Sequence, residues 1–151
     1  MKVSTFFTTC VTAAALALPA WAGTPSDHAQ LQAIAANATF AERDAGRMWS
    51  YASDNLDWMA QGNQLMRLRD DLNTLGRQVH RLQAENALSP GQQRRVERVA
   101  RRVNLMAADT QGAILFGRTH RDDLFNPMYT QTVSQLYSNA ERLNHDARAA
   151  L

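Results

Sequence analysis

The fold is decided by one stretch of the chain, residues 65–82, which reads LMRLRDDLNTLGRQVHRL. Its apolar residues recur at alternating spacings of three and four, and they are Leu65, Leu68, Leu72, Leu75, Val79 and Leu82. This spacing places them on one face of an α-helix, at the a and d positions of a heptad, whereas a half-buried strand needs a period of two. The stretch therefore predicts a helix with one buried face, which must pack against other helices.

Three further stretches repeat the same spacing. The first consists of Leu31, Ile34, Ala38, Ala41, Ala45 and Met48. The next consists of Val96, Val99, Val103, Met106, Thr110 and Ala113. The last consists of Tyr129, Val133, Leu136, Ala140, Leu143 and Ala147. Four such faces can cover one another, so we predict an all-α, up-and-down antiparallel four-helix bundle.

Two of the helix starts carry capping signals. Ser89 precedes Pro90, and Gln92 follows three residues after the serine, which is the pattern of a capping box with proline in the first turn. Asn126 and Pro127 repeat the combination of cap and proline before the last helix. The short connection before Pro90 predicts that the second and third helices are antiparallel neighbours.

The break between the first two helices has a weaker signal, and we place it near residues 46–53. The second helix would then run from about Tyr51 to Asn86 and be longer than its partners. Upstream of Gly62 the apolar residues do not continue the buried face of residues 65–82, so we expect the buried face of the helix to rotate near Gly62. The apolar residues around that point are Ala52, Leu56, Met59 and, just after Gly62, Met66.

The first 22 residues are typical of a secretory signal peptide. Lys2 supplies a positive start, residues 6–18 are mainly apolar, and small residues precede an expected cleavage between Ala22 and Gly23. We therefore expect an exported protein, periplasmic or extracellular, with a single helical domain at residues 23–151.

Removal of this leader would change the chemistry of the chain. Lys2 is the sole lysine and Cys10 the sole cysteine, so the remainder would have no thiol and 15 arginines against 14 acids. The lack of a thiol excludes disulfides, thiolate metal sites and cysteine nucleophiles. Charge is uneven, with nine arginines and four acids in residues 67–102 but two arginines and five acids in residues 23–66.

Five arginines of the third helix form the candidate binding surface, which we call the arginine face. They are Arg94, Arg95, Arg98, Arg101 and Arg102. They flank the valine positions of the buried face and should project mainly outward. Such a face can bind phosphate groups or an acidic protein surface. The alternative, which surface arginines more often fit, is a solvated face paired with Glu97 and with acids of the first or last helix.

Histidines and methionines raise the alternative of a metal or haem carrier. His80, beside Val79, lies nearest to a predicted buried face, and the absence of a CxxCH motif excludes covalent c-type haem. The methionines can provide thioether ligands for Cu(I) or fill gaps in a bundle core. Those beyond the predicted leader are Met48, Met59, Met66, Met106 and Met128. We expect no cofactor and no metal site.

The sequence contains no recognisable catalytic constellation. Asp70 and Asp71 are adjacent, so on a helix their carboxylates diverge by about 100° instead of converging as an acid/base pair. Neither a nucleophile elbow nor an HExxH motif is present. We therefore expect a protein that is not an enzyme.

Two resemblances bear on function. Residues 88–92, LSPGQ, resemble the LTxxQ motif of the Spy-type periplasmic chaperones, with serine for threonine and in a single copy. That resemblance implies a small exported helical protein that binds unfolded or envelope proteins on a concave, basic and apolar surface. The wider layout, with Gly76, the turn at residues 88–90 and Pro127 opening the last helix, is similar to uncharacterised small secreted bacterial helical proteins. It implies the fold and export, without an activity.

The leading hypothesis is an exported, cofactor-free binding or structural protein of the cell envelope. Its partner would be an envelope protein or an anionic envelope surface, contacted through the arginine face, and not a nucleic acid. A Spy-like chaperone and a metal or haem carrier are the alternatives. The oligomeric state is left open, because a heptad face can be buried within one chain or between two.

Overall fold

The structure, a computed structural model, covers most of the predicted helical domain. It describes residues 25–54, 57–85, 88–121, 123–124 and 126–151. The predicted signal peptide at residues 1–22 and the cleavage point between Ala22 and Gly23 lie outside the described residues.

Four α-helices form the bundle. They are α1 (Pro25–Ser53), α2 (Trp58–Ala84), α3 (Pro90–Thr119) and α4 (Pro127–Ala149). Each helix packs against its two neighbours, including α1 against α4, so the ring of helices is closed. The predicted all-α, up-and-down four-helix bundle is confirmed, and the described part of the chain contains no strand. None of its helices has the length and apolarity needed to cross a membrane.

The core consists of the four faces that the heptad spacing predicts. Every residue assigned above to those faces, including the polar Thr110, is at most 3% exposed. Leu68, Leu75 and Leu136 are among the largest side chains that are fully buried. Because burying a leucine stabilises the folded state by about 1.5–3 kcal/mol, these faces account for much of the stability of the bundle.

The capping signals are also confirmed. The Ser89 hydroxyl accepts a hydrogen bond from the Gln92 backbone N–H, and the Gln92 side chain accepts one from the Ser89 N–H at 3.2 Å. Before α4, the Asn126 side chain accepts from the Met128 N–H at 3.0 Å. These bonds satisfy backbone donors that have no partner within the helix.

The boundary between α1 and α2 differs from the prediction. α1 continues through Gly46 to Ser53, and α2 starts only at Trp58. Asp57 caps the start of α2, since its side chain accepts a hydrogen bond from the Ala60 N–H at 2.9 Å. The second helix has 27 residues against 29 in α1 and 30 in α3, so the prediction of a second helix longer than its partners is wrong. Gly46 lies inside α1 with the Tyr137 ring next to it, 3.4 Å from where a Cβ would be.

The predicted rotation of the buried face near Gly62 is wrong as well. Two buried amides, Gln61 and Gln64, continue the leucine face toward the start of α2, whereas Met59 is 74% exposed. Tyr129 donates to the Gln61 side chain at 2.9 Å, and Gln64 donates to the Asp44 carbonyl at 3.0 Å. A buried amide is acceptable there because neighbouring helices supply its partners, which a heptad pattern of apolar residues cannot reveal.

Candidate functional site

The arginine face lies on the outside of α3, as predicted. Arg94, Arg95, Arg98 and Arg101 are exposed and Arg102 is half-buried. The outward position of these arginines follows from the heptad register, since side chains between the buried valines must point away from the core.

Three of these arginines form polar contacts with α4. The Arg102 Nε lies 2.6 Å from the Asp146 carboxylate and the Arg98 Nε lies 3.6 Å from it, while Arg95 donates to the Ala149 carbonyl. Asp146 is only 9% exposed, so its carboxylate is shielded from water. The predicted pairing with an acid of the last helix is confirmed for Arg98 and Arg102. Among the described residues, no ion pair involves Arg94 or Arg101.

Apolar side chains continue the arginine face along the outer side of α3. Leu105 is 50% exposed and Leu115 is 52% exposed, and they follow Arg94 and Arg101 at heptad spacing on the helix. Gly112 lies between the two leucines, and a Cβ there would have nothing within 4 Å. The outer side of α3 is thus basic in its first half and partly apolar in its second half.

The histidines and methionines lie in different environments. All four histidines are exposed, including His80, which the sequence places nearest to the core. Met48 and Met106 are fully buried in the core, whereas Met59 and Met128 are about three-quarters exposed. Within the described ranges, no group of three or more His, Cys, Asp or Glu residues is arranged to hold a metal ion.

A pair of carboxyl groups joins α1 to α2. Asp70 turns to Arg69, with an ion pair of 2.8 Å, while its neighbour Asp71 forms a hydrogen bond with the buried Asp44. The divergence of Asp70 and Asp71 expected from the sequence is therefore present, but Asp71 meets a third acid that the sequence analysis missed. The signal in the sequence for a buried acid was the position of Asp44 next to the predicted face residue Ala45.

Burial, followed by the charge of Asp44 and the hydrogen bond with it, raises the pKa of Asp71 above its usual value. The folded chain then keeps a proton that the unfolded chain loses at about pH 4. The contribution of Asp71 to stability is therefore fully present below that pH and is lost as the pH rises through the folded pKa. We expect Asp71→Asn, which mimics the protonated acid, to gain stability over the wild type as pH rises from about 3 to about 7.

Urea unfolding of both proteins at the two pH values measures this change in midpoint. Asp70→Asn is the matched control, because Asp70 is exposed and pairs with Arg69. A gain for Asp71→Asn that is the same at both pH values would contradict the raised pKa of Asp71.

A polar network between α1 and α4 is a second feature that the sequence analysis missed. Asn144, 9% exposed, accepts hydrogen bonds from the Thr39 hydroxyl at 3.1 Å and from the Arg148 Nε at 3.1 Å, and it donates to Glu42. Both lone pairs of the Asn144 carbonyl oxygen and one N–H of its amide are thus engaged, which makes the side chain a structural link between the two helices.

A surface cavity of about 320 Å³ lies between the start of α2 and the end of α3. The Trp58 ring forms one wall and packs over Gly117, where a Cβ would lie 1.8 Å from the indole Cζ3. Met66 and Ile114 supply further apolar surface, and Arg118 and Arg121 supply the charge. No sequence motif marks this cavity, because its walls come from segments more than forty residues apart.

Comparisons of the chain with protein-family models, with curated proteins and with solved structures found no match.

Proposed function

We propose that this chain is an exported, non-enzymatic binding protein of the cell envelope, and that the arginine face binds its anionic partner. The observation that carries the proposal is the state of Arg94 and Arg101. Both are exposed, and no ion pair involves either of them among the described residues. Guanidinium groups in this state can form bidentate hydrogen bonds with phosphate or carboxylate groups.

The contacts with α4 support the same proposal. Asp146 and the end of α4 hold Arg98, Arg102 and Arg95 against the bundle. This arrangement keeps α3 in a fixed position, so Arg94 and Arg101 are presented from a rigid helix. Pre-organisation lowers the entropy lost on binding.

We expect Arg94→Glu/Arg101→Glu to weaken binding to vesicles of phosphatidylglycerol and phosphatidylethanolamine by at least about 30-fold. Each arginine near an anionic surface contributes about 1 kcal/mol, and charge reversal adds repulsion. Co-sedimentation with the vesicles at low and high salt measures the loss. The other three arginines are left intact because their substitution would disturb the packing of α3 on α4.

Arg67→Glu/Arg142→Glu is the matched control, since it makes the same change in net charge at exposed positions of α2 and α4. It should retain most of the binding. Equal losses in the two double variants, or no binding of the wild type to anionic vesicles, would reject a specific role of the arginine face.

A Spy-like chaperone is the second candidate, and the exposed Leu105 and Leu115 beside the arginines favour it. A basic surface continued by apolar side chains suits an unfolded client protein as well as a lipid headgroup. In that case the wild type should suppress aggregation of an unfolding client at equimolar concentration, and Leu105→Ser/Leu115→Ser should abolish the effect. If the wild type does not suppress aggregation of the client, this candidate is rejected.

A further inference from the structure

The cavity between the start of α2 and the end of α3 lies away from the arginine face, and the Trp58 ring forms part of its apolar surface. The Trp58 ring lies over Gly117 of α3 and also packs against Gly62 of its own helix, where a Cβ would be 3.1 Å from the indole. Two helical glycines thus allow a large flat ring to lie against the helix surfaces. The ring, with Met66 and Ile114, gives the cavity an apolar floor.

Two guanidinium groups flank this floor. Among the residues that the structure describes, the cavity lining includes Arg118 and Arg121 and no carboxylate. Asp57, the acid at the start of α2, is engaged in capping the Ala60 N–H at 2.9 Å and does not line the cavity. An apolar floor with guanidinium groups beside it complements a ligand that has an apolar body and an anionic end.

We infer that this cavity binds a single-chain amphiphile with a terminal carboxylate, such as a free medium-chain fatty acid. Its alkyl chain would lie on Trp58, Met66 and Ile114, and its carboxylate would meet Arg118 and Arg121. The volume of about 320 Å³ is at the lower end of small-molecule sites, which favours one free chain over a two-chain lipid. This inference does not depend on the arginine face.

Isothermal titration calorimetry of the full chain with decanoate, below the concentration at which it forms micelles, tests the inference. We expect saturable one-to-one binding. Octanoate should bind about tenfold more weakly, because each methylene that leaves water completely changes affinity about fourfold and the cavity is open on its outer side. Decanol, which has the same chain and no charge, should also bind at least about tenfold more weakly than decanoate.

Arg118→Gln/Arg121→Gln should weaken decanoate binding about tenfold and leave decanol binding unchanged. Arg67→Gln/Arg142→Gln is the control for net charge and should bind decanoate as the wild type does. The inference is overturned by an absence of saturable binding, by equal affinities of decanoate and decanol, by binding only to micelles or vesicles, or by equal losses in the two arginine variants. Arg94→Glu/Arg101→Glu should bind decanoate normally, which separates this result from the test of the arginine face.

Discussion

Gly117→Ala is expected to destabilise the bundle by about 2 kcal/mol, although it adds only one methyl group. The new Cβ would lie 1.8 Å from Cζ3 and 2.3 Å from Cε3 of Trp58, so the indole has to leave its place or α2 and α3 have to separate. Overpacking of this kind costs about 1–3 kcal/mol. Urea unfolding followed by far-UV circular dichroism measures the loss.

The same substitution in a Trp58→Ala background isolates the contact. Without the indole, Gly117→Ala should no longer destabilise and should stabilise by up to about 1 kcal/mol, because alanine favours a helix over glycine. Gly112→Ala is a second control on the same helix, since a Cβ at Gly112 would have nothing within 4 Å, and it should be stabilising. An equal cost of Gly117→Ala with and without Trp58 would show that the contact is not the cause.

Leu68→Ala is expected to have the largest effect on stability, a loss of about 2–5 kcal/mol. Leu68 is fully buried in the middle of the α2 face, where removing the side chain leaves a cavity lined by neighbouring helices. A shift of the urea midpoint without a change in slope would show that the loss is one of stability.

Leu105→Ala makes the identical change on the outer side of α3. Leu105 is 50% exposed, so its truncation should alter the free energy of unfolding by no more than about 0.5 kcal/mol. Similar losses for the two leucines would contradict the assignment of the buried faces.

The heptad spacing was sufficient to predict the four buried faces and the outward position of the arginine face. Burial depends on periodicity within each helix, which can be read locally. The boundary between α1 and α2 could not be predicted in this way, because Gly46 suggests a break, whereas the helix continues through it while packed against α2 and α4.

Within the candidate sites, the residue types were visible and the pairings were not. The sequence alone determined that Arg94 and Arg101 point outward from a helix. Only the tertiary structure decided that Asp146 engages Arg98 and Arg102, and that Trp58 lies over Gly117. The physical reason is that helix periodicity acts over three or four residues, whereas these contacts join residues more than forty positions apart and depend on how the helices pack.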